Sequence, residues 1–164
     1  MRLSAYFCLV PIMLLSNQQP DMTKLRGLYQ KAAVSKQDAR LLDEWAATID
    51  TDSLPVLVCY KGANAMIQAK YTLNPINKLN KFMQGRDLME AAIRKDTTDL
   101  EMRFIRYAVQ NNLPAFLGYD HHKEIDRQFL LRNIKEQKDD QLKQLIINYL
   151  STLPSGGEIK NLKG

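Results

Sequence analysis

The amino-acid sequence predicts an all-α protein of about seven helices, arranged as stacked antiparallel hairpins. Apolar residues recur at spacings of three and four along most of the 164 residues, which is the period of a helix with one buried face. No segment shows the strict alternation of apolar and polar residues that indicates a half-buried strand. Short polar segments such as 50–53 and 96–99 separate the periodic ones. Because short connections place successive helices antiparallel, we expect hairpins that stack on one another.

The first three predicted helices span residues 22–34, 35–49 and 53–72. Ser35 opens the second helix, because serine is a good cap for a helix N-terminus. Pro55 lies in the first turn of the third, where its missing N–H costs no helical hydrogen bond.

The third predicted helix is apolar on most of its faces, which indicates burial between neighbouring helices. Gly62 lies within it and permits close approach of another helix. The polar residues Lys61, Asn64 and Gln68 fall on one narrow stripe. This stripe is either the solvent-facing edge of the helix or the lining of a groove.

The fourth predicted helix spans residues 74–95, with Asn74 as its cap and Pro75 at its first position. Its expected core residues are Leu79, Phe82, Gly85, Met89, Ala92 and Ile93.

The fifth predicted helix spans residues 98–112. We expect Thr98 and Glu101 to form a capping box, in which each side chain binds an unpaired N–H at the helix start. Opposite its apolar arc lies a second polar stripe, formed by Arg103, Arg106 and Gln110. The segment 115–119 is too apolar for an exposed loop, so we expect it to pack under the helices.

Two further helices are expected to begin at Asp120 and Asp139. The predicted buried side of the sixth contains Ile125, Phe129, Leu130 and Ile134. The seventh ends before the Pro-Ser-Gly-Gly segment at 154–157, and we expect residues 155–164 to be a flexible tail.

The N-terminus is expected to be a secretory signal peptide over residues 1–18, preceding a single helical domain over 19–154. Arg2 supplies a positive charge, and residues 3–15 form an apolar run too short to span a membrane. The alternative is a buried N-terminal helix. Cleavage would leave Cys59 without a disulfide partner, and its apolar setting predicts a buried, inert thiol. We therefore expect an exported protein, periplasmic or secreted, with no transmembrane segment after cleavage.

The charge is mildly basic, with a net value of +5. Lys and Arg are interspersed with acidic residues rather than gathered on one element, which argues against a nucleic-acid partner.

Part of the hairpin resembles a tetratricopeptide unit. Gly85, Met89, Ala92 and Asp96 are similar to the second helix of such a unit, and Lys61-Gly62 with Ala65 is similar to its first. The resemblance implies tetratricopeptide-like hairpins, either in an α–α superhelix or in an irregular bundle.

A second resemblance covers residues 56–134. The chain resembles an uncharacterised family of small exported helical proteins from Gram-negative bacteria. The matching residues include Tyr60-Lys61-Gly62-Ala63, Asn74-Pro75, Glu101-Met102-Arg103-Phe104-Ile105-Arg106 and Leu117-Gly118-Tyr119. This resemblance implies the helical fold and export, and it carries no assigned activity.

Arg103 and Arg106 are the main candidates for a binding role. Arginines one helical turn apart can clamp a carboxylate or a phosphate. They can equally form ion pairs with Glu90, Glu101 or Asp126 that fasten neighbouring helices. If free, the two arginines with Gln110 could join Lys61, Asn64 and Gln68 in one polar groove that binds a ligand or partner.

Catalytic and metal chemistry find little support. His122 and Asp126 share a helical face, but they are weak metal candidates because no third strong ligand accompanies them. No nucleophile elbow, phosphate-binding loop or dinucleotide fingerprint occurs, so we expect no cofactor and assign no catalytic residue. We expect a module that binds a protein or peptide in the cell envelope. The alternative is an anion binder or enzyme that uses the Arg103/Arg106 stripe.

Overall fold

A computed structural model of the protein describes residues 20–153. Within that range the chain contains seven α-helices and no strand. The helices are α1 Met22–Ala32, α2 Lys36–Ala47, α3 Pro55–Lys70, α4 Pro75–Lys95, α5 Leu100–Asn112, α6 Lys123–Asn133 and α7 Asp140–Ser151. Two single 3-10 turns, Ala115–Leu117 and Ile134–Glu136, lie on either side of α6. The predicted all-α class is confirmed.

Most helix starts are held by a local side chain. A residue just before the helix accepts a backbone N–H of the first turn in α1, α2, α4, α5 and α7, and these caps are Asp21, Ser35, Asn74, Asp99 and Asp139. Such bonds occupy donors that the helix itself cannot pair. The predicted starts of α2, α4 and α7 are therefore confirmed.

The predicted capping box at α5 is wrong. Asp99 caps the helix and accepts the N–H of Met102 at 2.8 Å. Thr98 binds backward instead, donating its N–H and its hydroxyl to Asp96 Oδ1. The Glu101 carboxylate is held by Arg26, a residue 75 positions away. Glu101 thus forms an ion pair with a residue far away in the sequence instead of the expected hydrogen bond to the start of its own helix.

The hairpin of α3 and α4 has the most extensive contact of all the described helix pairs. A Cβ atom built on Gly62 would lie 2.6 Å from the carbonyl oxygen of Gly85 and 2.9 Å from the N atom of Met89. One built on Gly85 would lie 2.5 Å from the carbonyl oxygen of Gly62 and 2.8 Å from Met66 Cγ. Later residues of α4 thus meet earlier residues of α3, which makes the pair antiparallel. The absence of a Cβ atom at both positions allows the two backbones to touch.

The fold has two apolar cores that meet at α5. Met102 and Ile105 point into the first core, which α1 to α4 complete. Phe104 and Tyr107 point into the second, which α6 and α7 complete. The ring of Tyr149 packs edge-on to that of Phe104, with centroids 5.5 Å apart. Because α5 contributes to both cores, it is buried over a wide arc.

Several apolar residues predicted to be buried are exposed. Leu79 on α4, Phe116 in the 3-10 turn and Ile125 on α6 all face solvent. Adjacent helical residues point about 100° apart, so the burial of Asp126 turns Ile125 outward. The expectation that 115–119 packs under the helices holds only at its end, where Tyr119 is buried. The predicted cap at Asp120 is also wrong, because α6 follows His122 and has no side-chain cap.

The predicted signal peptide, with Cys8, and the predicted tail lie outside the described residues. Within 20–153, no helix combines the length and apolarity needed to cross a membrane. The packing of α1 with α2, α3 with α4 and α5 with α6 is compatible with hairpins or a bundle.

Candidate functional site

Arg106 and Asp126 form a doubly hydrogen-bonded ion pair between α5 and α6. Arg106 Nε donates to Asp126 Oδ2 at 2.7 Å, and Nη2 donates to Oδ1 at 2.8 Å. Asp126 is 0% exposed and Arg106 is 2% exposed. Burial alone would lower the pKa of Arg106, but its hydrogen bond to Asp126 and the nearby negative charges raise the pKa overall. This arginine stays charged in the interior because its partners stay close.

Arg103 reaches the same carboxylate from one turn earlier on α5. Its Nη1 donates to Asp126 Oδ1 at 2.8 Å, and its Nε and Nη2 donate to the carbonyl oxygen of Thr97 at 3.1 Å. Its guanidinium lies 5.1 Å from the ring centroid of Phe129. Of the two alternatives for these arginines, the geometry is that of ion pairs that fasten helices, with Asp126 between them.

Glu90 links this cluster to α4 and to the loop after α5. Arg106 Nη1 donates to Glu90 Oε2 at 2.8 Å, and the hydroxyl of Tyr119 donates to Glu90 Oε1 at 2.6 Å. Burial raises the pKa of Tyr119, and its hydrogen bond to Glu90 raises it further. His122 Nδ1 lies 3.9 Å from Glu90 Oε1. The cluster therefore ties α4, α5, α6 and the intervening loop together.

The weak metal candidates His122 and Asp126 are not arranged as a metal site. The Asp126 carboxylate already accepts hydrogen bonds from two arginines. Among residues 20–153, no group of three or more His, Cys, Asp or Glu side chains is placed to hold an ion.

Lys61, Asn64 and Gln68 line a groove between α2, α3 and α4, with a volume of about 150 Å³. Asn64 is buried and donates to Asp43 Oδ1 at 2.7 Å. Gln68 donates to the carbonyl oxygen of Ala39 and to Asn64 Oδ1. Lys61 donates to the carbonyl oxygen of Ile49. These three residues hold α3 against α2 as well as lining the groove.

The two predicted polar stripes do not share this groove. Its lining includes Lys81 and Gln84 of α4 but none of Arg103, Arg106 and Gln110. Gln110 is buried, and its amide atoms have no hydrogen-bond partner within the described part of the chain. The two polar stripes therefore lie at separate sites, and they do not form the single polar groove that the sequence left open.

A second buried ion pair, which the sequence did not indicate, joins α1 to α5 and α7. Arg26 Nε and Nη2 each donate to a different oxygen of Glu101 at 2.7 Å, and Arg26 Nη1 donates to Asp139 at 2.7 Å. Tyr60 of α3 donates its hydroxyl to the same Glu101 at 2.7 Å. The hydrogen bond to Glu101 raises the pKa of Arg26 despite its burial. The only sequence signal was an arginine on the apolar side of a short helix.

An apolar stripe lies exposed on the first half of α4 and on Leu73, two residues before the helix begins. It comprises Leu73, Ile76, Leu79 and Met83, which are 98%, 70%, 49% and 41% exposed, and we call these four residues the α4 stripe. Spacings of three and four place Ile76, Leu79 and Met83 on one helical face. That face differs from the buried one, which carries Phe82. The sequence signal that could have revealed this stripe is a second row of apolar residues on the same helix, because a second apolar face implies a second surface for another element or a partner to cover.

No family model, curated protein or solved structure matches this chain. Its function is therefore inferred from the geometry of its own residues.

Proposed function

We propose that this protein is an exported, non-catalytic helical module that binds a protein partner through the α4 stripe. The observation that carries the proposal is the exposure of three apolar side chains at helical spacing on a helix whose other face is buried. Helix-in-groove recognition uses anchors at positions i, i+3 and i+7, and Ile76, Leu79 and Met83 have that spacing.

The surroundings of the stripe support a docking role. Residues 73–80 are all exposed, so no other part of the described chain covers the start of α4. Exposed apolar side chains that occur together, rather than singly, are typical of surfaces that bind a partner. A partner that covered them would remove apolar area from water, at a gain of about 25 cal/mol per Å² before the costs of association.

Anion binding is the second candidate function. The feature that favours it is the groove between α2, α3 and α4, whose lining residues include the two lysines Lys61 and Lys81. Anion binding at Arg103 and Arg106 is less well supported, because an incoming anion would have to displace Asp126 from both arginines. The groove is therefore the place at which this candidate should be tested.

The test of the leading proposal is a comparative pull-down from envelope extracts of the native cell. The double variant Leu79→Ser/Met83→Ser removes two members of the stripe. Its matched control is Val34→Ser/Leu54→Ser, which changes two exposed apolar residues on other elements. We expect one or more proteins to be recovered by the wild type and by the control but lost with the stripe variant. Equal recovery by all three forms would contradict the proposal. Cell fractionation tests export in the same strain.

A further inference from the structure

We propose that the groove between α2, α3 and α4 binds a small zwitterion, a free α-amino acid with a short side chain. This inference rests on the second candidate function, anion binding in the groove, and adds to it a place for the ammonium group of the same ligand. It is carried by an acidic and a basic side chain that line the groove without pairing with each other.

Three helices each present one face to the groove. Besides the three polar residues of α3, the lining includes Asp43, Ala46 and Ala47 of α2 and Lys81, Gln84 and Leu88 of α4. Residues at spacings of three and four share a helical face. Lys81 and Met83, two positions apart on α4, point about 160° away from each other at the helical turn per residue. The groove is therefore a separate surface from the α4 stripe.

The carboxylate of Asp43 is held at the wall of the groove. The buried Asn64 donates from Nδ2 to Asp43 Oδ1 at 2.7 Å, and Gln68 Nε2 donates to Asn64 Oδ1 at 3.1 Å. Asp43 forms no ion pair within residues 20–153, and neither Asp43 Oδ2 nor Gln68 Oε1 accepts a hydrogen bond there. These two oxygens are the acceptors that remain for the ammonium group of a ligand.

Lys81 contributes the opposite charge from α4. It lines the groove, is half-buried, and makes no hydrogen bond or ion pair in the described part of the chain. Lys61 already donates to the carbonyl oxygen of Ile49, so Lys81 is the lysine of this groove that has no partner. A ligand carboxylate would gain a charge-assisted hydrogen bond from it. Gln84, exposed at the same groove and also without a partner in that range, can donate an amide N–H.

The charge and size of the groove favour a small zwitterion over a simple anion. An anion would bind Lys81 but would also face the carboxylate of Asp43, whereas a zwitterion satisfies both. The volume of about 150 Å³ corresponds to about five water molecules at about 30 Å³ each, which suits a molecule of the size of alanine. Ala46, Ala47 and Ala65 line the same space, and their methyl groups offer an apolar surface to a short side chain.

Three small ligands test the inference on the full-length protein. They are L-alanine, propionate, which lacks the ammonium group, and ethylamine, which lacks the carboxylate. Binding is measured by NMR titration, with the side-chain amide signals of Asn64, Gln68 and Gln84 as reporters. The variants are Asp43→Asn, which keeps an oxygen for Asn64, and Lys81→Gln.

The matched controls are Asp52→Asn and Lys78→Gln, which change exposed residues outside the groove lining. Urea unfolding of each variant checks that the fold is kept. We expect alanine to bind at least about tenfold more tightly than propionate or ethylamine, because each of these lacks one of the two charged contacts. Asp43→Asn should weaken alanine binding about fivefold or more without weakening propionate binding. Lys81→Gln should weaken the binding of both, and the controls should change neither.

Other outcomes overturn the inference in distinguishable ways. Equal binding of propionate and alanine that depends on Lys81 and not on Asp43 would remove the zwitterion and leave anion binding in the groove standing. No shift of the reporter signals with any ligand at about 10 mM, a concentration that detects even millimolar affinity, would remove both. Alanine binding that neither variant weakens would place the ligand elsewhere and contradict the inference. The leading proposal, a protein partner on the α4 stripe, is tested by the pull-down and is independent of these results.

Discussion

Gly62 and Gly85 face each other across the α3–α4 contact, and the carbonyl oxygen of each lies within 2.6 Å of the place where the other would carry a Cβ. This reciprocal contact sets the spacing of the central hairpin. The consequence is that α3 and α4 cannot approach in this way with a larger residue at either position.

Gly85→Ala should destabilise the protein by about 2 kcal/mol, because the added methyl group meets backbone atoms that cannot rotate away. Urea unfolding followed by circular dichroism measures the change. The matched control is Gly27→Ala within α1, where a Cβ would meet nothing within 4 Å. That substitution should stabilise the protein by about 0.5–1 kcal/mol, because alanine is the better helix former. An alanine at position 85 that is harmless would contradict the close contact.

Asp126→Asn should destabilise the protein by about 3 kcal/mol, because it leaves Arg106 and Arg103 without the carboxylate that compensates their burial. The same unfolding experiment measures it. Asp87→Asn is the matched control, since Asp87 pairs with Arg86 at the surface, and its effect should stay within about 0.5 kcal/mol. If the two variants were equally stable, Asp126 would not be a structural partner of the arginines, and the anion-binding alternative would gain support.

Cys59 should resist alkylation in the folded protein. Its side chain is fully buried, and burial raises the pKa of the thiol well above its usual value, which disfavours the reactive thiolate. Treatment with iodoacetamide followed by peptide mapping reads Cys59 separately from Cys8. We expect labelling of Cys59 in urea and none in buffer. Rapid labelling in buffer would mean that α3 opens or that the thiol is accessible.

His122 should make the protein less stable as the pH falls. Burial and the positive charge of Arg106 lower the pKa of His122, while Glu90 and Asp126 act in the opposite direction. A lowered folded-state pKa means that the unfolded chain takes up the proton first, so this contribution to stability is present above about pH 6.5 and is lost as the pH falls from there through the folded-state pKa.

The measurement is the urea midpoint of unfolding between about pH 7.5 and about pH 5.5, a range in which histidine is the main side chain to titrate. His122→Gln should flatten the pH dependence relative to the wild type. His121→Gln, at an exposed neighbour, controls for the loss of an imidazole. An unchanged slope in His122→Gln would assign the pH dependence to other groups.

The sequence predicts helix caps correctly where the capping residue acts on its own helix. Ser35, Asn74 and Asp139 cap helices as predicted, because a cap needs only a side chain and an N–H two or three residues away. The predicted capping box at Glu101 is wrong, because the Glu101 carboxylate forms an ion pair with Arg26 instead of binding the N–H at the start of its own helix. A doubly hydrogen-bonded pair with a buried arginine is stronger than one bond to a helix end.

The distribution of charge also looks different along the whole chain and helix by helix. Read along the whole chain, basic and acidic residues alternate and no cluster stands out. Grouped by helix, the excess of basic residues falls on α3 and the first half of α4. The burial of Leu79 was also predicted wrongly, because the spacing of apolar residues identifies a helical face without saying what covers it.

The sequence by itself determined the all-α class, the helix boundaries to within a few residues, and the buried state of Cys59, because period and capping are properties of neighbouring residues. Only the tertiary structure decided that Arg103 and Arg106 are joined to Asp126, that Lys61, Asn64 and Gln68 line a different groove, and that an apolar face of α4 is uncovered. These features depend on which helices meet. That choice is made by contacts between residues far apart in the chain, such as the touching backbones at Gly62 and Gly85, and not by the pattern within any one helix.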